Sequence, residues 1–162
     1  MYKKEIERKF LVDPTKMPDL SKYPEIEIIQ GYLNQPYDSL EVRLRGECRN
    51  DIETYTLTLK DKGTKIRNEI TYDISKEEFE SSIVLCGKRI IKKKRYLIPS
   101  SFDPSRIIEL DKYIDLSLIT CEYEAETEVL VDTLQFESWF LKEITGDKEF
   151  SNYSLALKQN VK

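Results

Sequence analysis

A chain of 162 residues that is 40% hydrophobic is long enough for one domain with a real core, and residues 1–162 read as a single domain. Charged residues make up 35%, yet 26 basic and 30 acidic side chains leave a net charge of only -4, which argues against bulk attraction to nucleic acid or to a membrane surface. Histidine is absent, so imidazole bases and ligands are excluded, and any metal must be held by carboxylates, which favours Mg²⁺ or Mn²⁺ over Zn²⁺.

No apolar leader and no run approaching ~18 apolar residues is present, so the protein is expected to be cytoplasmic. Cys48, Cys86 and Cys121 are odd in number, far apart and outside any C-x-x-C arrangement, which fits reduced structural thiols.

In chain order, residues 4–12 predict a strand with Glu5, Glu7 and Lys9 on one face and Ile6, Phe10 and Val12 on the other, Arg8 breaking the apolar side. Asp13-Pro14 opens a turn or two that Pro18 and Pro24 limit, and Glu27 to Leu33 form a second strand. The third strand sets Glu41, Arg43, Arg45 and Glu47 against Leu40, Val42 and Leu44. The fourth sets Thr54, Thr56, Thr58 and Lys60 against Tyr55, Leu57 and Leu59. After a turn at Asp61-Lys62-Gly63-Thr64, the fifth sets Lys65, Arg67, Glu69 and Thr71 against Ile66, Ile70 and Tyr72. These three read as an antiparallel meander.

Ser75-Lys76-Glu77-Glu78 is a capping box for a helix with Phe79, Ile83 and Cys86 on one stripe, stopped by Gly87. A sixth strand, 88–98, carries Arg89, Lys93 and Arg95 on one face, with Lys92 and Lys94 on the other, as protected edges also do. The seventh presents Glu109, Asp111 and Tyr113, and the eighth Thr120, Glu122, Glu124, Glu126 and Glu128. Asp132 then caps a second amphipathic helix through Leu134, Phe136, Trp139 and Phe140, and Tyr153, Leu155 and Leu157 allow a last turn to dock.

Like charges recur two residues apart along these strands: Glu5 with Glu7, Arg43 with Arg45, Lys93 with Arg95, Glu109 with Asp111, Glu122 with Glu124. Such neighbours lie about 6.6 Å apart. At an effective dielectric of about 20 they repel by about 2.5 kcal/mol. An open sheet could show this face to water; a closed barrel would turn it inward as a charged lumen, with the helices on the apolar outside. The second arrangement explains the stacked charges if a cation answers the carboxylates and a polyanion the basic pairs, which together describe a metal-bound polyphosphate. Neither G-x-x-x-x-G-K-[ST] nor G-x-G-x-x-G occurs, so side chains on strands would do the gripping.

The opening Glu5-Ile6-Glu7-Arg8-Lys9-Phe10-Leu11-Val12 resembles that of the CYTH domain proteins, the triphosphate tunnel metalloenzymes. The resemblance runs on through Gln30-Gly31-Tyr32-Leu33, Val42-Arg43-Leu44-Arg45, Leu57-Thr58-Leu59-Lys60, Arg67-Asn68-Glu69, Lys93-Lys94-Arg95-Tyr96, Glu109-Leu110-Asp111 and Glu122-Tyr123-Glu124. It ends in Thr145-Gly146-Asp147-Lys148 and Ser151-Asn152-Tyr153. It implies a mainly β (α+β) fold, an eight-stranded antiparallel closed barrel or tunnel with a charged lumen and a few amphipathic helices outside.

It further implies metal held by Glu5, Glu7, Glu122 and Glu124, with Glu109, Asp111 and Glu69 on the acidic side. Lys9, Arg43, Arg45, Lys60, Arg67, Lys93 and Arg95 would bind phosphate oxygens. Catalysis would rest on Glu5, Glu7, Lys9 and Glu124; Lys9 is either a phosphate ligand or, with its pKa lowered by basic neighbours, a base for the attacking water. The expected activity is Mg²⁺- or Mn²⁺-dependent hydrolysis of a small-molecule triphosphate, inorganic tripolyphosphate first, then thiamine triphosphate or a nucleoside triphosphate. An adenylate cyclase, a non-catalytic polyphosphate-binding module and a plain sheet protein with solvated charges are the alternatives. Neither nucleic acid nor membrane is expected as a partner, and homodimer formation is left open.

Overall fold

A sheet with one charged and one apolar face needs two different surroundings, and this chain provides them by rolling up. A computed structural model describes residues 2–36, 38–61 and 66–158, with side chains from Ile6 onward. The strands are β1 (Tyr2–Val12), β2 (Glu25–Tyr32), β3 (Leu40–Arg49), β4 (Ile52–Asp61), β5 (Ile66–Asp73), β6 (Ile90–Pro99), β7 (Ile107–Tyr113), β8 (Ile119–Glu124) and β9 (Phe140–Glu143). All pair antiparallel in the order β5-β4-β3-β2-β6-β7-β8-β1, and a further pairing of β1 with β5 closes the ring. The eight-stranded antiparallel barrel is therefore the fold. The turn at 62–64 and Lys65 lie outside the described residues.

β9 is the unexpected strand. It pairs with Phe10–Val12 of β1, while Phe10 also faces Cys121 of β8, so β9 occupies the edge of β1 opposite β8 and stands outside the ring. The β3–β4 hairpin turns on Asn50 and Asp51, both at positive φ (51° and 62°), the two-residue geometry that matches strand twist.

Helix α1 (Lys76–Ile83) starts at the predicted capping box: the Ser75 hydroxyl accepts from the Glu78 amide at 3.1 Å, and the Glu78 carboxylate accepts from the Ser75 amide at 2.7 Å. Phe79 is buried beside Tyr55, Leu44 and Cys86, so α1 covers the outer face of β3 and β4. The close seating needs Gly31, where an added Cβ would come within 2.6 Å of the Cys86 sulfur. Cys48, Cys86 and Cys121 are free thiols.

The main core lies on the outer face of β1, β6, β7 and β8, where Ile6, Phe10, Ile98, Ile108, Leu110 and Cys121 pack against Val131, Leu134 and Trp139. Here the sequence expectation fails. Asp132 does not begin a helix; it ends α2 (Glu128–Asp132), a single turn capped by Thr127, and β8 stops at Glu124 instead of running on through Glu128. Leu134 and Trp139 are both buried although five residues apart, about 140° around a helix, so one helical face could not bury both. Buried Glu137 fixes the irregular path by accepting from the Ser100 and Ser101 hydroxyls and the Ser101 amide.

Helix α3 (Asn152–Lys158) docks Leu155 and Ala156 onto Tyr32, Ile91 and Tyr113. Those three sit at inward-facing positions of β2, β6 and β7, so α3 stoppers one end of the barrel. The Tyr113 hydroxyl donates to Asn152 at 2.7 Å, and Tyr32 and Tyr153 meet edge to face. Among the described residues, no helix is long and apolar enough to cross a membrane.

Candidate active site

The strand registers bring the charged positions together inside the barrel. Glu7 faces Glu124, Glu122 lies between Lys9 and Glu109, Arg95 faces Asp111, Tyr32 faces Arg43, and Lys60 lies between Glu41 and Glu69. A cavity of about 260 Å³ opens among them. Of the predicted residues, Glu7, Lys9, Arg43, Arg45, Lys60, Arg67, Glu69, Arg95, Glu109, Glu122 and Glu124 line it. The backbone of Glu5 pairs with Arg67, and its side chain lies outside the described residues.

Lys93 and Asp111 do not line the cavity. Both are fully buried behind it, where Lys93 Nζ donates to Asp111 Oδ2 at 2.5 Å and the Arg95 guanidinium forks onto the same carboxylate at 2.7 and 2.8 Å. In this arrangement Asp111, expected as a metal ligand, has Lys93, expected as a phosphate ligand, and Arg95 as its partners. With both oxygens engaged by cations, Asp111 has none aimed at the cavity.

The lumen also answers much of its own charge. Glu7 is met by Arg67, Glu122 by Lys9 at 2.8 Å and Arg95 at 3.3 Å, Glu69 by Lys60 at 3.1 Å, and Glu109 by Arg95. Like charges recur along single strands, and Glu7 faces Glu124 and Glu109 faces Glu122 across strands, but each of Glu7, Glu109 and Glu122 also has a basic side chain from another strand against it. The repulsion argued from single strands is therefore largely offset before any ligand arrives, a compensation that needs the register to be seen.

The exception is Arg43, with its neighbour Arg45 only partly answered. Among the described residues Arg43 has no carboxylate within ion-pair distance, and its side-chain hydrogen bond is a long 3.5 Å donation to the Thr58 hydroxyl. Arg45 reaches Glu47 at 3.2 Å, and the Nε atoms of Arg43 and Arg45 are both buried with no hydrogen-bond partner. Burial, and then the charges of Arg43 and Arg95, hold the Arg45 guanidinium below its ordinary pKa. Buried donors without acceptors cost on the order of 1–3 kcal/mol each, so this wall is arranged for an anion.

The opposite wall is acidic. Burial and then the charges of Glu122 and Asp111, against Arg95, raise the Glu109 pKa, while Glu122 and Asp111 stay ionised: burial opposes this, but the adjacent Lys9, Arg95 and Lys93 more than offset it. Lys9 is not the low-pKa base that basic neighbours would make it. Burial does disfavour its charge, but Glu122 above all, with Tyr113 and Glu7, leaves its pKa raised. The lysine whose pKa falls, to about 8, is Lys93, through burial and the charges of Arg95 and Arg45.

A hard divalent cation suits this donor set, since every candidate is a carboxylate oxygen and Glu7 and Glu124 face each other in register. Among the described residues no three acidic side chains converge on one point; Glu7 is engaged with Arg67, and Glu122 with Lys9 and Arg95. A cation bound there would take over charges that the basic groups now balance.

Several lining residues were not among the predicted set. Tyr32 continues the inward alternation of β2 from Gln30, a pattern legible in the sequence, and Glu41 sits on the predicted charged face of β3. Gly146, Asp147, Lys148, Ser151 and Asn152 form a wall that no barrel strand supplies, and strand periodicity carries no signal for it.

The fold and site together define a class, closed β-barrels whose interior holds a cavity lined by guanidinium, ammonium and carboxylate groups. Within that class, the chain belongs to the CYTH domain family, whose family model matches residues 3–152. It is 35% identical over 155 residues to an inorganic triphosphatase of Nitrosomonas europaea, covering 94% of this chain and 97% of that protein. The crystal structure of an inorganic triphosphatase superposes with a TM-score of 0.66 at 33% identity, covering 94% of both chains. A Pyrococcus horikoshii protein at 16% identity shares the fold with a TM-score of 0.64, covering 96% of this chain and 99% of that one.

Proposed function

We propose that this protein is a divalent-metal-dependent triphosphatase that hydrolyses inorganic tripolyphosphate with water to pyrophosphate and phosphate. The observation that carries the reading is the Arg43–Arg45 pair, each with a buried Nε that lacks an acceptor, facing a carboxylate wall across one cavity. Arg43 and Arg45 bind the phosphoryl oxygens, joined by Lys60 and Arg67 from β4 and β5 and by Lys9 and Arg95 from the acidic side. Together they hold the chain of phosphates in line and balance the charge that builds on the leaving group. Lys93 and Asp111 keep Arg95 oriented from behind.

Glu7, Glu109, Glu122 and Glu124, with Glu5, are the residues to hold Mg²⁺ or Mn²⁺. When bound, such an ion acidifies a water and neutralises phosphoryl oxygens. Inorganic tripolyphosphate is favoured over nucleoside or thiamine triphosphate because charged side chains dominate the lining: of the two rings there, Tyr32 is 1% exposed and packed on Tyr153, and Phe150 has the Lys158 ammonium over its ring. The identity to an inorganic triphosphatase over nearly the whole chain supports the same choice.

The experiment is phosphate release from tripolyphosphate, ATP and thiamine triphosphate, each with Mg²⁺, with Mn²⁺ and with EDTA. Tripolyphosphate should turn over fastest, and both EDTA and Glu124→Gln should abolish turnover in folded protein. Thermal stabilisation by tripolyphosphate without turnover would select a non-catalytic binding module instead.

A further inference from the structure

Arg8 interrupts the apolar face of β1 between Ile6 and Phe10, and the substrate cavity makes no direct use of it. Outside the barrel its guanidinium forks onto Glu143 of β9, Nε to Oε1 at 2.8 Å and Nη2 to Oε2 at 2.6 Å. The same group lies 4.8 Å from the centroid of the Phe136 ring and 5.4 Å from that of Phe10. A two-pronged pair seated on aromatic rings fixes direction as well as distance, which separates it from the ordinary surface ion pair of little worth.

Glu143 in turn is tied to the catalytic strand. Its Oε1 accepts from the Thr145 hydroxyl at 2.8 Å, that hydroxyl accepts from the Lys9 amide at 3.0 Å, and the Ile144 amide donates to the Lys9 carbonyl at 2.8 Å. From there the chain runs directly into the wall of the cavity, contributing Ile144, Asp147, Lys148 and Asn152. β9 has four residues and an irregular register on β1 at Leu11/Val12, a short pairing to hold that wall unaided.

We propose that Arg8 is a positioning residue: through its fork to Glu143 it fixes the 144–152 wall against Lys9, and thereby sets the affinity of the cavity for its triphosphate without touching it. The kinetic consequence rests on the triphosphatase reading above; the structural consequence does not.

Arg8→Met keeps the aliphatic stem over the rings and removes the fork, and Glu143→Gln removes its other half. In each, KM for tripolyphosphate should rise about tenfold while kcat stays within about twofold of wild type. The double variant should be no worse than either single, because both delete one interaction. Arg8→Lys, a point charge that cannot fork, should remain near Arg8→Met. In protein without substrate, hydrogen exchange at the Ile144 and Lys9 amides should quicken in Arg8→Met while β6 and β7 keep their protection.

Unchanged KM and unchanged exchange at Ile144 would overturn the proposal, and so would a loosening spread over the whole barrel. If the wild-type protein proves to lack turnover, the exchange result and the affinity for tripolyphosphate read from thermal shift still decide the role of Arg8. Only the triphosphatase reading would then fall.

Discussion

Replacing Asp111 by Asn tests whether the group under Arg95 is a support or a metal ligand. The carboxylate is fully buried and holds Lys93 at 2.5 Å and Arg95 at 2.7 and 2.8 Å. Removing one member of such a buried pair leaves the others uncompensated, which typically costs about 3–5 kcal/mol. Glu109 and Glu122 still contact Arg95, so the lower end, about 3 kcal/mol, is expected here. For a chain of this length that corresponds to a fall in Tm of roughly 6–12 °C.

The assay is urea and thermal unfolding of metal-free wild type, Asp111→Asn, Lys93→Met and the double variant. The double variant should recover much of the loss, since it removes the stranded cation together with its partner. An Asp111→Asn protein as stable as wild type without metal, but unable to bind Mn²⁺, would refute the argument and restore Asp111 as a ligand.

Arg43→Met should raise the Tm of the substrate-free protein, because relief of a buried Nε without an acceptor and of the repulsion with Arg45 outweighs the lost attraction to Glu69 and the long contact with Thr58, while lowering kcat/KM for tripolyphosphate at least a hundredfold; thermal shift and phosphate release read the two effects. Acid should unfold the protein through Glu69 and Glu122. Their folded pKa values are lowered by Lys60 and Arg43, and by Lys9 and Arg95, against burial, so the stability they contribute is complete above the unfolded carboxylate pKa near 4.3 and is lost as pH falls through the folded values. Glu69→Gln should flatten that loss in unfolding curves taken from pH 6 to pH 2. Gly31→Ala should destabilise by about 1–3 kcal/mol by pushing α1 off the sheet, visible as a lower urea midpoint.

The two-residue alternation was enough to put most lumen residues on one face, because a period of two assigns a face without any knowledge of partners; that the sheet closes into an eight-stranded barrel came from the family resemblance. The pairing of those faces was not legible. Glu7 opposite Glu124 and Lys9 beside Glu122 follow from register, so the ion pairs that quench the lumen, and the raised pKa of Lys9 that follows from them, lay beyond a strand-by-strand reading. Lys93 and Arg95 look equivalent in sequence yet differ in depth, one behind the lining and one within it. The segment after Asp132 misled for a related reason. Leu134, Phe136, Trp139 and Phe140 satisfy a loose helical pattern, but the buried carboxylate of Glu137 and the pairing of Phe140–Glu143 with β1 hold that stretch open, and both are tertiary contacts.

β1 shares one edge with β8 and the other with β5 and β9, so every neighbour of the first strand is synthesised after it. On the ribosome the β3–β4–β5 hairpins can form as they emerge, whereas Phe10 must wait for Cys121 and then for Glu143. Non-local closure of this kind slows folding and prolongs the lifetime of sticky, half-made intermediates. It also means that Lys9 meets Glu122 only after β8 has emerged, so a chain truncated before β8 has no competent cavity.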